Sequence, residues 1–262
     1  MQRLLNKVAN WDVRVGLEIH AQLTSLNTKL FSRAGYTFNA LANSQIEPHD
    51  VAYPGSMPVQ FLDYFPEADQ SIREVNRKAV EWAIVAAKVL NCQINPVSQF
   101  DRKHYFYADS PAGFQITQNW HPIASQGELD YLWQRGDEVV KSSARLGRIQ
   151  LENDTGKSLH DEAERQSFID YNRSGVALIE LVTEPDFHCG AQAKGFVQEL
   201  QLLLRQVGVC RGRMSQGQMR VDCNVSVRAC PTCQEDLNSV TTGIRTEIKN
   251  VGTLDSVQFA IG

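Results

Sequence analysis

The chain has 262 residues, of which 42% are hydrophobic and 21% charged, with a net charge of −4 at pH 7. That balance excludes a disordered tract, a collagen repeat or a coiled coil, and gives enough chain for a substantial core in one large domain or two small ones. No apolar stretch approaches the roughly 18–20 residues needed to span a bilayer, and residues 1–10 have no apolar core of signal-peptide length, so membrane insertion and secretion are not expected. With a slightly acidic total, any nucleic-acid contact has to come from a local basic surface.

Arg3 and Lys7, without an acid, make residues 1–10 compatible with the end of a mitochondrial transit peptide. Val13, Val15, Leu17, Ile19 and Ala21 then alternate with Arg14, Gly16, Glu18, His20 and Gln22, which predicts a strand with one apolar face. Residues 32–58 are rich in Gly, Pro and Asn and read as loop. From Ser71 to Leu90 the spacing of Ile72, Val75, Ala79, Ala83, Ala86 and Leu90 predicts a helix capped by Ser71. Residues 99–118 are dense in polar and aromatic side chains, with a break at Ser110-Pro111-Ala112-Gly113.

Alternation returns at residues 148–152, followed by a short apolar run at residues 176–182. An amphipathic helix is predicted over residues 192–207, ended by Gly208. Two more alternating strands are predicted over residues 219–228 and 244–248, and a helix starts at Ser256. Strands in clusters with isolated helices between them predict an antiparallel or mixed α+β domain rather than βαβ winding.

The polar faces of these strands carry the candidate chemistry. Glu18 and His20 project from the same side, roughly 7 Å apart along the strand. Glu152 closes another strand, and Glu180 interrupts the apolar run 176–182, where a charged carboxylate needs a partner. A divalent cation, magnesium or manganese, is one such partner for a Glu, His, Glu, Glu set; an arginine ion pair is the other. Asp222 and Glu247 have two readings, a functional one and simple pairing with Arg220, Arg245 or Lys249. The stretch Phe100-Asp-Arg-Lys-His-Tyr-Phe-Tyr107 either contacts phosphates and stacks bases or supplies core aromatics with a charged rim.

Other motifs fail. Gly156-Lys157-Ser158 lacks the Gly-rich turn of a P-loop, and neither a nucleophile elbow nor a dinucleotide fingerprint is present. The six cysteines do not form a disulfide framework. Only Cys230 and Cys233 have metal-ligand spacing; Cys210 and Cys223 are the available second pair, but Cys223 falls on an apolar strand face, so zinc is not expected.

Taken together, Gly16-Leu-Glu-Ile-His-Ala-Gln22, Ala52-Tyr-Pro-Gly-Ser-Met-Pro58, the 100–107 stretch, Gly113-Phe-Gln-Ile-Thr-Gln118, Leu151-Glu-Asn-Asp-Thr-Gly-Lys157, Asp170-Tyr-Asn-Arg-Ser-Gly175, Leu181-Val-Thr-Glu-Pro-Asp186, Met219-Arg-Val-Asp-Cys-Asn-Val-Ser226 and Arg245-Thr-Glu-Ile-Lys-Asn250 closely resemble the GatB family, the B-subunits of tRNA-dependent amidotransferases. Some of the wording, including Leu159-His-Asp161, resembles the mitochondrial branch.

The resemblance implies a mainly antiparallel or mixed sheet, the cradle, over residues 11–262, with residues 1–10 as remnant of a targeting segment and the family's helical and tail domains lying beyond Gly262. It implies a mitochondrial-matrix ligase that uses ATP and Mg2+ to phosphorylate the glutamate of Glu-tRNA(Gln), then amidates it with ammonia. The amidase and the small third member of a heterotrimeric amidotransferase are the implied partners. Carried over by position, His20, Glu152 and Glu180 are metal ligands, and Glu18 serves a transient second ion or shapes the site. Arg102, Lys103, Tyr105 and Tyr107 are implied contacts for nucleotide or the tRNA acceptor end; Asp222, Asn224, Glu247 and Lys249 match without an assigned role.

This chain departs from the family at Glu152-Asn153, where two acids are common, and at Met214-Ser-Gln-Gly217, where acids are lost. The alternative expectation is a non-catalytic scaffold that docks the amidase.

Overall fold

The computed structural model describes residues 11–56, 75–229 and 243–262. Its centre is a seven-stranded sheet in the order β11-β10-β1-β9-β6-β5-β2. These strands are β1 (Trp11–Gln22), β2 (Gln93–Ile94), β5 (Ala124–Arg135), β6 (Glu138–Asn153), β9 (Ala177–Thr183), β10 (Met219–Ala229) and β11 (Thr246–Val251). Two ribbons stand apart: β3 (Gln99–His104) with β4 (Phe114–His121), and β7 (Lys157–Asp161) with β8 (Gln166–Asp170). Every pairing among the described residues is antiparallel, so the α+β expectation holds and its "antiparallel or mixed" sheet resolves to antiparallel.

The alternation read in β1 sorts its side chains between two environments. Val15, Leu17, Ile19 and Ala21 enter the core, where they meet Ile149, Leu151, Ile179, Leu181, Val221 and Cys223. Helix α2 (Gly190–Gln206) covers this side through Ala193, Phe196, Val197, Leu200 and Leu204. Phe196 and Phe187 sit edge to face at 5.1 Å, and Tyr131 of β5 meets Phe196 at 5.7 Å. Gly190 and Gly195 let α2 approach its neighbours closely: a Cβ at Gly195 would meet the Leu132 carbonyl at 2.5 Å. Helix α1 (Arg77–Val89) buries Ala79, Ala83, Ala86 and Ala87, and α3 (Leu254–Ile261), capped by Thr253, buries Val257.

Several boundaries differ from the sequence reading. Helix α1 begins after Asn76, whose side chain accepts from the Lys78 N–H, rather than at Ser71; Ser71 and Ile72 lie outside the described residues. Helix α2 starts two residues before Gln192 and ends ahead of Gly208, which takes a left-handed φ of 81°. Strand β11 starts at Thr246, and Ile244, expected on its apolar face, is exposed. The long β5–β6 hairpin is legible in the sequence only at residues 148–152. No helix among the described residues is long and apolar enough to cross a membrane.

The loop of residues 23–56 has little regular structure of its own, and a buried ion pair fixes it. Lys29 Nζ lies 3.0 Å from Asp50 Oδ2, which also accepts from Ser32 Oγ and the Glu47 N–H. A Cβ at Gly175 would press on Asp50 Oδ1 at 2.9 Å, and that residue holds a φ of 85°, so glycine is required there.

Candidate metal centre

On the face opposite the core, antiparallel register aligns polar side chains into rows, because directly opposed residues point the same way. One row runs Arg220, His20, Glu180, Gln150 across β10, β1, β9 and β6. The neighbouring rows run Asp222, Glu18, Val182, Arg148 and, on the other side, Gln22, Leu178, Glu152. Three residues far apart in sequence are thus delivered to one spot by the pairings β1–β9 and β9–β6.

There His20 Nε2 lies 3.5 Å from Glu152 Oε2 and 3.9 Å from Glu180 Oε2. One ligand atom from each of these three residues falls within 4.8 Å of the others. Both carboxylates are buried. Gln150 and Thr117 arrange them: Gln150 Nε2 donates to Glu180 Oε2 at 2.6 Å and to Glu152 Oε1 at 3.3 Å, and Thr117 Oγ1 donates to Glu152 Oε1 at 2.8 Å. Glu152 Oε2 is left buried with no hydrogen-bond partner.

Electrostatics sharpen the picture. Burial, then the Glu152 charge beside it, pushes Glu180 up to about 8. Burial also opposes ionisation of Glu152, but the His20 ring 3.5 Å away and then the Glu180 carboxyl outweigh it and bring that carboxyl down to about 2. Burial acts to lower the His20 imidazole, and the two carboxylates more than offset it, leaving the ring above its usual value. Two adjacent buried acids thus resist carrying full charge together. A divalent cation offsets that charge, and a Glu152 oxygen without a hydrogen-bond partner beside an imidazole nitrogen and a second carboxylate is a donor set that fits one. Among the described residues, no arginine, the competing partner for Glu180, hydrogen-bonds or ion-pairs with it.

Glu18 stands apart from this trio. Its Oε1 accepts from Asn224 Nδ2 at 3.0 Å, and it forms a second acidic group with Asp222 and Glu247. Asp222 accepts from the Asn250 N–H at 2.6 Å, and Glu247 pairs with Lys249 at 3.2 Å. Glu18, Glu152 and Glu180 line a cavity of about 390 Å3 together with Asp101, Arg102, Lys103 and Arg148. Arg102 also lies over the Phe114 ring at 4.8 Å. Tyr105 and Tyr107 stack on each other at 4.4 Å but do not line this cavity, so the sequence-based grouping of all four residues is split. Within the same stretch Phe100 packs edge to face on Phe31, whereas Phe106 and Tyr107 are exposed.

Sequence reasoning missed Gln150, Thr117 and Arg148, and also the buried Asp154. Asp154 Oδ1 accepts from Arg220 Nη2 at 3.0 Å, and its Oδ2 lies 3.5 Å from Arg173. For Gln150 and Arg220 the signal exists: each sits on a polar strand face in step with a candidate site residue. Cys230 and Cys233 lie outside the described residues, while Cys210 and Cys223 are buried thiols, each pushed up to about 11 by desolvation.

An antiparallel α+β domain with a half-buried imidazole against two buried carboxylates is the class that fold and site define together. A family model described as the GatB/GatE catalytic domain matches residues 13–262, and the chain belongs to that family. The mitochondrial glutamyl-tRNA(Gln) amidotransferase B-subunit of Homo sapiens is 44% identical over 252 residues, covering 95% of this chain and 40% of the relative. The corresponding protein of Danio rerio is 45% identical over 250 residues, 94% of this chain and 41% of the relative. The aspartyl/glutamyl-tRNA(Asn/Gln) amidotransferase B-subunit of Rickettsia canadensis is 41% identical over 261 residues, 100% of this chain and 48% of the relative. The chain thus spans less than half the length of these curated relatives.

Proposed function

We propose that this chain is the catalytic cradle of the B-subunit of a mitochondrial glutamyl-tRNA(Gln) amidotransferase, acting in the matrix with an amidase and a small third protein of the complex. The reaction is ATP-dependent. A side-chain carboxylate oxygen of tRNA-borne glutamate attacks the γ-phosphorus of ATP and releases ADP; ammonia from the amidase then attacks the acyl carbon and phosphate leaves, giving Gln-tRNA(Gln).

The observation that carries this reading is the convergence of His20, Glu152 and Glu180 around a Glu152 oxygen without a hydrogen-bond partner, in a domain of the GatB/GatE family. These three residues would hold Mg2+, with Mn2+ able to replace it. When bound, the ion would supply positive charge that offsets the phosphates and polarises the phosphoryl group under attack. Gln150 and Thr117 fix the two carboxylates before substrate arrives. Arg102 and Lys103, which line the same cavity, would meet phosphate oxygens. Glu18, held by Asn224, shapes the acidic side and would be the ligand for a transient second ion.

The test is conversion of Glu-tRNA(Gln) to Gln-tRNA(Gln) by the chain reconstituted with its two partner proteins, ATP and Mg2+. Wild type is expected to convert, while His20→Ala and Glu180→Ala abolish conversion yet leave glutaminase activity of the amidase largely intact. Equal conversion by wild type and variants rejects the site assignment. Stable docking of the amidase without any conversion supports a scaffold role instead.

A further inference from the structure

Strand β6 carries a charged residue that the metal centre alone does not account for. Leu146 is buried in the core, and regular alternation would send Arg148, two residues on, to the same side. The β6–β9 register shifts between these two residues, a bulge at Gly147. Beyond it Ile149 and Leu151 take the core positions, while Arg148, Gln150 and Glu152 turn to the polar face. Bulges beside sites of chemistry commonly re-aim a side chain. Here the re-aimed residue is an arginine that lines the cavity of about 390 Å3 together with Glu152 and Glu180.

Arg148 bonds to a neutral amide and to neither of those carboxylates. Its Nε donates to Gln150 Oε1 at 3.0 Å, and the Nε2 of the same amide donates to Glu180 Oε2 at 2.6 Å, to Thr117 Oγ1 at 2.9 Å and to Glu152 Oε1 at 3.3 Å. A glutamine amide can sit either way round, and its hydrogen-bond partners decide which. Turned over, Gln150 would set its oxygen against the Glu180 carboxylate and its N–H groups against the guanidinium, acceptor facing acceptor and donor facing donor. Arg148 thereby locks the orientation in which one amide holds both acids. Its Nη groups have no hydrogen-bond or ion-pair partner among the described residues, although Glu18 and Asp101 line the same cavity. They present the planar fork that matches two oxygens of a phosphate.

We infer that Arg148 is a positioning residue with two ends: through Nε and Gln150 it sets the metal ligands, and through its Nη groups it takes phosphate oxygens of the triphosphate that arrives with the metal. One rigid guanidinium then ties the carboxylates that hold the ion to the phosphates that the ion neutralises. A lysine, with its single nitrogen, cannot serve both ends with the same geometry. The inference deepens the proposed reading of the His20 centre as a site for a divalent ion with ATP, and rests on it.

The test uses the 262-residue chain, Mn2+ followed by electron paramagnetic resonance, and tripolyphosphate, which has the phosphate chain of ATP without its base. Arg148→Ala is expected to weaken Mn2+ binding about as much as Gln150→Ala does, by about 10–100-fold. The double variant should lose no more than either single one, because both act through one amide. At saturating Mn2+, Arg148→Ala should lose about tenfold or more in tripolyphosphate affinity, and Gln150→Ala less than about threefold. Arg148→Lys should recover part of the tripolyphosphate binding but not the Mn2+ affinity. In the metal-free chain, the Gln150 side-chain amide signal in a nitrogen–proton correlation spectrum, assigned by its loss in Gln150→Ala, should move in Arg148→Ala. Additive losses of Mn2+ affinity overturn the inference, as does unchanged tripolyphosphate binding in Arg148→Ala or full rescue of both by lysine. A wild-type chain that takes up no Mn2+ rejects the metal centre; a Gln150 signal that still moves in Arg148→Ala then upholds the link between the two residues, and an unmoved one overturns it, so the two readings fail separately.

Discussion

Gln150 on β6 donates to Glu180 on β9 at 2.6 Å, and the same nitrogen lies 3.3 Å from Glu152 Oε1, so one neutral amide sets the position of both buried carboxylates. Groups that orient metal ligands typically contribute 10–100-fold to metal affinity. Gln150→Ala should therefore weaken Mn2+ binding by about 10–100-fold. Titration of the purified chain checks this, and an unchanged dissociation constant removes Gln150 from the centre.

Direct loss of a ligand has a larger and differently shaped effect. Glu152→Gln replaces the Oε2 that lacks a hydrogen-bond partner with an amide group and removes the charge opposing that of the ion. Mn2+ binding should vanish in the accessible concentration range. The apo protein should lose little stability, since removing the desolvation cost of a buried charge compensates for weaker pairing with His20. Parallel metal titration and urea denaturation separate the two effects; a variant that still binds Mn2+ like wild type contradicts the ligand assignment.

The centre is partly legible in the sequence because its residues break patterns. Glu180 stands out as a charge in an apolar run, and Glu18 and His20 as charged or titratable groups in regular alternation with core residues. Register is what sequence withholds: only the pairings His20 with Glu180 and Glu180 with Gln150 decide that Glu152 joins His20 while Glu18 turns towards Asp222. Thr117 carries no charge and leaves no signature, while Gln150 shows only as a polar residue in step with Glu152 on its strand face.

The β5–β6 hairpin escapes for a different reason. Leu132 and Val139 are exposed where alternation would put polar residues, and Gly127 occupies a buried strand position where a Cβ would collide with Cys92 Sγ. The aromatic stretch 100–107 is ambiguous because it serves two environments, with Phe100 packed inward and Phe106 outward.

Asp154 ties the back of the centre together. Its side chain is 3% exposed and receives Arg220 from β10, the residue opposite His20, as well as Arg173. Removing one partner of a buried pair leaves the other charge uncompensated, at a cost of about 3–5 kcal/mol. Asp154→Ala should destabilise the chain by about that amount, read from urea denaturation. Asp154→Leu combined with Arg220→Met should recover much of the loss. A loss under about 1 kcal/mol for the single variant would show that solvent reaches the pair.

At the far end of β9, Asp186 supplies a pH-dependent contribution independent of the centre. The Arg145 guanidinium grips it through Nη2–Oδ1 at 2.6 Å and Nε–Oδ2 at 2.9 Å, and the Arg145 N–H adds a third bond at 3.0 Å. These hydrogen bonds, chiefly those from the Arg145 side chain, hold the carboxyl below its usual range despite partial burial. A carboxyl whose folded value is depressed stabilises the fold fully above its unfolded value, about 3.9, and ceases to do so as pH falls through the folded value. Asp186→Asn should therefore melt below wild type at pH 7, and the gap should close as pH falls below about 3.9. Because Arg145 is largely exposed, the gap at pH 7 should also narrow in high salt. Differential scanning calorimetry across pH 2–7 checks both trends, and a gap that persists unchanged at the acid end would show that Asp186 acts through packing and not through its charge.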